Sequence, residues 1–155
     1  MPRLLALLPL LALAGCGPSK PTTLPVTGKV MFRKTTPAAG ALVVFHPVDP
    51  AVEKMLPGKP FAKCKEDGTF TLTTYSDGPD GGAPEGEYGI TIQWMREVKV
   101  KENKANKLGG VKIGGDEGGG GSQSVLNAKY GNPAQPFTKV TIKKGDKNEF
   151  NFDVD

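Results

Sequence analysis

Glu87-Tyr88-Gly89-Ile90-Thr91-Ile92-Gln93-Trp94 alternates strictly, with Tyr88, Ile90, Ile92 and Trp94 on one side and Gly89, Thr91 and Gln93 on the other. That period of two marks a strand with one buried and one wet face. Val98 and Val100 keep the same parity, so the strand is expected to run long or to kink near Arg96. Before it stands the turn cluster Asp77-Gly78-Pro79-Asp80-Gly81-Gly82-Ala83-Pro84. Such clusters punctuate strands rather than helices.

Working outward, the same pattern recurs. Val26, Gly28, Val30 and Phe32 share a face opposite Thr27, Lys29, Met31 and Arg33, and Thr35-Thr36-Pro37-Ala38-Ala39-Gly40 turns the chain into the apolar run Ala41-Leu42-Val43-Val44-Phe45. A proline-rich excursion over residues 47–60 follows, and then two alternating runs joined by Glu66-Asp67-Gly68, a hairpin signal. Near the end Val140 and Ile142, then Phe150, Phe152 and Val154, take inward positions around Lys144-Gly145-Asp146-Lys147. About seven strands and no amphipathic helix of ordinary length predict an all-β chain, a single antiparallel β-sandwich. Val30, Phe32, Val43, Phe70, Leu72, Tyr88, Ile90, Ile92, Trp94, Val140, Ile142, Phe150 and Phe152 are its expected core.

One region breaks the order. Residues 109–121 hold eight glycines among thirteen, too few side chains to offset the entropy of ordering the backbone, so residues 102–136 are read as a mobile, flexible Gly-rich insertion. Within it, residues 124–133 have the makings of one helical turn packing Leu126 and Tyr130 inward.

The beginning of the chain has a different character. After Met1-Pro2-Arg3 comes Leu4-Leu5-Ala6-Leu7-Leu8-Pro9-Leu10-Leu11-Ala12-Leu13-Ala14, an apolar run with no polar side chain, which reads as a secretory signal over residues 1–15. It reaches only about half of the ~30 Å hydrocarbon core, and Pro9 interrupts it, so it is not a spanning helix. Residues 16–25 carry three prolines and no periodicity and are expected to form a tether, leaving residues 26–154 for the β-sandwich domain.

The formal net charge of +4 is spread without a block of like charges, so no nucleic-acid partner is indicated. Of the two cysteines, Cys64 lies in Ala62-Lys63-Cys64-Lys65, where alternation puts Ala62 and Cys64 on one face and the lysines on the other. That makes it a buried structural thiol.

Two resemblances go beyond composition. Leu13-Ala14-Gly15-Cys16 resembles the lipobox of bacterial lipoproteins, which implies that Cys16 becomes the first mature residue and carries acyl chains such as palmitate. Gly17 lacks the aspartate that retains some lipoproteins at the inner membrane, so the resemblance implies a lipid-anchored protein of the cell envelope, at the outer membrane on its periplasmic or surface face. Gly28-Lys29-Val30 with Pro37-Ala38-Ala39-Gly40-Ala41-Leu42-Val43-Val44-Phe45, Asp67-Gly68-Thr69-Phe70-Thr71-Leu72, and Pro84-Glu85-Gly86-Glu87-Tyr88-Gly89-Ile90-Thr91-Ile92 together resemble the carboxypeptidase regulatory-like and transthyretin-like β-sandwich domains. Tyr130-Gly131-Asn132-Pro133 and Asn148-Glu149-Phe150-Asn151-Phe152-Asp153-Val154 look like the end of the small lipoprotein versions. This likeness implies a non-enzymatic binding or scaffolding module, tethered to the membrane through Cys16, whose partner is an envelope protein or polysaccharide.

The chemistry sought elsewhere is thin. His46, the single histidine, stands at a strand end with no Gly-x-Ser-x-Gly elbow in the chain, and is read as a rim residue. Asp77, Asp80, Glu85 and Glu87 crowd one region without the spacing of a calcium loop. The glycine-rich run has no phosphate-cradling motif. Some transthyretin-like relatives are hydrolases using several histidines and a Tyr-Arg-Gly-Ser end, whereas this chain ends Asn151-Phe152-Asp153-Val154-Asp155. A further alternative is an adhesin-type stalk domain with an isopeptide bond from Lys29 to Asn148 or Asn151, although Lys29 has outward parity. No catalytic residue, cofactor-binding residue or metal ligand set is therefore expected.

Overall fold

The computed structural model describes residues 21–74, 81–98 and 121–155. Strands dominate them: β1 Thr27–Phe32, β2 Thr36–Pro37, β3 Leu42–Pro47, β4 Phe61–Lys63, β5 Thr69–Thr71, β6 Gly86–Gln93, β7 Met95–Val98, β8 Gly121–Ser124, β9 Thr138–Ile142 and β10 Glu149–Val154. Among the described residues one α-helix, α1, covers Pro50–Met55, and Ala128–Tyr130 forms a 3-10 turn. The fold is all-β, as the alternation predicts. The described residues hold ten strands, against an expectation of about seven. β2 lies inside what reads as a turn, β7 breaks away from β6, and β8 falls within the glycine-rich insertion.

β1 organises one sheet. It pairs with β10 along its whole length, from Thr27↔Glu149 to Phe32↔Val154, and on its other edge with β5 at Thr27–Lys29 and with β2 at Met31 and Phe32. The β1–β10 pairing is parallel, which corrects the expectation of a purely antiparallel arrangement. A hairpin forces its strands antiparallel, but β1 and β10 lie at opposite ends of the domain and no short turn dictates their direction. The second sheet, in the order β4-β3-β6-β9, is antiparallel throughout. β7 and β8 form a separate ribbon: of the two expectations for this stretch, a long strand or a kink near Arg96, the chain follows the second in outline, leaving β6 at Gln93 and changing partner from Met95.

The β4–β5 hairpin ties the sheets together, because β4 pairs with β3 and β5 with β1. Its turn is built as the Asp-Gly signal predicted: Asp67 Oδ1 accepts from the Thr69 amide at 2.9 Å and from its hydroxyl at 2.6 Å. Gly68 sits at φ 80°, and a Cβ there would stand 2.6 Å from the Val30 carbonyl oxygen. The residue has to be glycine on both counts.

Inward faces of both sheets feed one core. Val30, Val43, Phe70, Leu72, Tyr88, Ile90, Ile92, Trp94, Ile142 and Phe152 are buried as expected, together with Val26, Phe45 and Val154. Phe32, Val140 and Phe150, expected in the same core, are only partly buried and pack against it. From Tyr130 through Phe137, Phe152 and Phe70 to Phe45, successive ring centroids lie 5.2, 5.7, 6.1 and 6.5 Å apart. Each fully buried ring contributes roughly 1.5 to 3 kcal/mol by transfer from water.

Two loops differ from their sequence reading. In the excursion over residues 47–60, Asp49 caps α1 by accepting from the Ala51 amide at 2.8 Å, with Pro50 as the first helical residue. The insertion over 102–136 is expected to be mobile apart from a turn at 124–133 that packs Leu126 and Tyr130 inward. Residues 102–120 lie outside the described residues, but 121–136 are built into the fold: β8 pairs with β7, the Val125 amide donates to the Trp94 carbonyl at 2.8 Å, and Leu126 and Tyr130 are buried. The predicted helical turn is there, one 3-10 turn capped by Asn127. The apolar anchors Leu126 and Tyr130, inward by the sequence reading too, hold this segment.

Candidate functional site

Cys16, the expected lipidation site, lies outside the described residues, as do Asp77 and Asp80. The chain is already tied to the domain at Leu24, whose amide donates to the Ala83 carbonyl at 2.8 Å while the Ala83 amide donates back at 3.1 Å. The described chain is thus held to the domain by Leu24, one residue before the Pro25 at which the expected tether ends.

His46 occupies the outer face of the second sheet, on β3 opposite Gly89 of β6. Its Nε2 lies 2.8 Å from the hydroxyl oxygen of Thr91, a buried residue. Nδ1 is buried and has no partner among the described residues. Burial holds the imidazole below its ordinary pKa, the Lys59 charge pushes the same way, and Glu53 opposes both. A catalytic histidine needs an accessible nucleophile on one nitrogen and an orienting group on the other. His46 has a buried threonine on the first and nothing on the second. The expectation of a rim residue understated its packing.

Cys64 is buried on β4's side of the core beside Ala62, with Lys63 and Lys65 exposed, which is the arrangement read from the alternation. Burial pushes its thiol up to about 11, aided by the Asp67 charge, so the reactive thiolate is scarce at neutral pH. Of the acidic cluster, Glu87 pairs with Lys139 at 3.3 Å. No group of three metal-ligating side chains occurs among the described residues.

Of the two isopeptide candidates, the fold brings one beside Lys29 and commits the other elsewhere. Lys29 and Asn151 are cross-strand neighbours in the β1–β10 register, on the outer face of that sheet, with Asn151 exposed. Asn148 is committed to its own turn, accepting from the Lys143 amide at 3.0 Å and donating to the Lys143 carbonyl at 3.1 Å. An amide in water or already spent on a turn is poorly placed for attack by a lysine amine.

A cluster with no local sequence signal lies at the end of the domain where β1, β6 and β10 finish. The guanidinium carbon of Arg33 lies 5.0 Å from the Phe32 ring centroid, that of Arg96 lies 4.7 Å from the Trp94 centroid, and the two rings meet edge to face at 5.7 Å. Only the pairing of distant strands assembles it. No family model, curated protein or solved structure matches this chain.

Proposed function

We propose that this chain is a membrane-tethered, non-catalytic lipoprotein of the cell envelope, in which a β-sandwich of the carboxypeptidase regulatory-like and transthyretin-like kind serves as a binding or scaffolding module. The observation that carries the reading is Leu13-Ala14-Gly15-Cys16 at the close of an apolar run with no polar side chain. A single acyl chain gives marginal membrane binding, whereas two or three give a durable anchor, so no further membrane contact is required. The sandwich is supported by two four-stranded sheets feeding one aromatic core, and by the buried Tyr88 hydroxyl bonded back to the Pro84 carbonyl at 2.8 Å. Tyrosine corners of this sort recur in Greek-key sandwiches. The absence of the aspartate after Cys16 supports the outer membrane.

Intact mass and detergent partitioning of the chain expressed in a bacterial envelope test the anchor. The expected result is removal of residues 1–15 and acyl mass on Cys16. A Cys16→Ser variant that is still lipidated, or still processed normally, overturns it.

A further inference from the structure

We propose that the end of the domain carrying Arg33, Lys34 and Arg96 binds an acidic polysaccharide through its carboxylates, a ligand class that deepens the binding-module reading and rests on it only in treating the domain as a binder.

The cluster starts from a strained turn. Arg33 and Lys34, at the tip between β1 and β2, have φ 50° and 63°, a left-handed conformation that tight hairpin turns ordinarily assign to Asn and Gly. The turn is locked by neighbours on both sides: the Arg33 amide donates to the Val154 carbonyl at 2.7 Å, and the Thr35 amide to the Phe32 carbonyl at 3.2 Å. Two cationic side chains are thus displayed where glycine would be easier.

The guanidiniums are then held in place. Arg33 lies on Phe32 and Arg96 on Trp94, and because those rings touch, the two cations share one aromatic support. A guanidinium lying on a ring keeps its N–H edge free, and that edge matches a carboxylate with two parallel hydrogen bonds. Arg33, Lys34 and Arg96 are exposed and form no ion pair with any described side chain, although four other lysines do. Asp155, which follows Val154, is taken by Lys129 at 3.0 Å and by the Tyr130 hydroxyl. The charge at this end is therefore not answered by the described side chains.

The kind of anion follows from what the cluster lacks. Trp94 is 3% exposed, and a guanidinium lies over each of the Trp94 and Phe32 rings, so among the described residues neither ring offers an open apolar face to the side-chain anchors on which peptide recognition depends. A glycan with repeating carboxylates needs only the charge-assisted bonds.

The test uses the full chain purified in detergent, titrated with oligogalacturonate, with a neutral galactan of equal length and with poly-glutamate. Binding to oligogalacturonate that weakens as salt is raised is expected, with the neutral glycan inert and poly-glutamate at least tenfold weaker. The Arg33→Gln/Arg96→Gln double variant should lose affinity at least tenfold, while Lys139→Gln/Lys147→Gln, which removes the same charge from paired lysines elsewhere, should not. Equal melting temperatures show that both variants are folded. No binding to oligogalacturonate, equal binding to poly-glutamate, or equal losses in the two double variants overturns the proposal. Anchoring is read separately by mass at Cys16, so failure of either reading is recognisable by itself.

Discussion

The hydroxyl of Tyr88 donates a 2.8 Å hydrogen bond to the carbonyl of Pro84, four residues upstream and buried with it. The bond fixes the entry of β6 against the strand's own second inward residue. Tyr88→Phe keeps the ring against Phe45, 6.0 Å away, and removes only the donor, leaving a buried carbonyl unsatisfied. The expected cost is about 1 to 3 kcal/mol, read from the urea midpoint at constant slope. The phenol also has a pH signature. Burial pushes it up to about 12, above its ordinary 10.0, so the stability it contributes is fully present below pH 10 and is lost as pH rises through the folded value. The Phe variant should lack that alkaline loss.

His46 predicts an effect at the other end of the pH scale. Its folded pKa is lowered from 6.5, by burial first and the Lys59 charge second, with Glu53 opposing. The folded state therefore binds fewer protons than the unfolded one once the pH drops near 6.5. Stability from the neutral imidazole is present above that value and lost as pH falls through the folded pKa. Thermal melts between pH 7.5 and 5 should show a decline that His46→Gln reduces. Identical declines in both proteins would rule out His46 as the source.

These two sites mark the boundary of what the residues alone disclose. Tyr88, Ile90 and Ile92 declare their strand by alternation, and Asp67-Gly68 declares its turn by residue type, because both signals are local. The proposed lipidation of Cys16 rests on a signal that is local in the same way, its flanking residues being the whole of the motif. His46 and Thr91 are 45 residues apart, and their contact exists only once β3 and β6 are in register. The parallel β1–β10 pairing is non-local in the same way. The ribbon of β7 and β8 was hidden because Gly121-Ser122-Gln123-Ser124 has little strand propensity of its own and is a strand by virtue of its partner. The Arg33-Lys34 turn has no signature at all, since neither residue type advertises a left-handed backbone.

Gly28 is a position where the absence of a side chain holds the first sheet together. It sits between Phe150 on one edge of β1 and Phe70 on the other, and a Cβ there would stand 1.9 Å from the Phe150 carbonyl oxygen and 2.6 Å from the Phe70 ring. Backbone cannot yield as a flexible side chain can. Gly28→Ala should therefore cost about 3 kcal/mol or more by overpacking. Gly58, which has open space around it, serves as the control, and Gly58→Ala should leave the unfolding midpoint nearly unchanged.

Lys34 offers the reverse effect, a stabilising substitution at a surface turn. At φ 63° an L-residue bears the steric cost of the left-handed conformation, roughly 1 to 2 kcal/mol, which glycine escapes. Glycine also loses more backbone entropy on folding, by roughly 0.5 to 1 kcal/mol. The difference leaves Lys34→Gly more stable by about 0.5 to 1 kcal/mol, a shift of a few degrees in melting temperature for a domain of this size. Lys34→Ala isolates the cause: alanine removes the charge but keeps the Cβ, so it should show no comparable gain. If alanine stabilises as much as glycine, the gain comes from relieving repulsion between Lys34 and its cationic neighbours rather than from the backbone. If neither does, the turn is not strained.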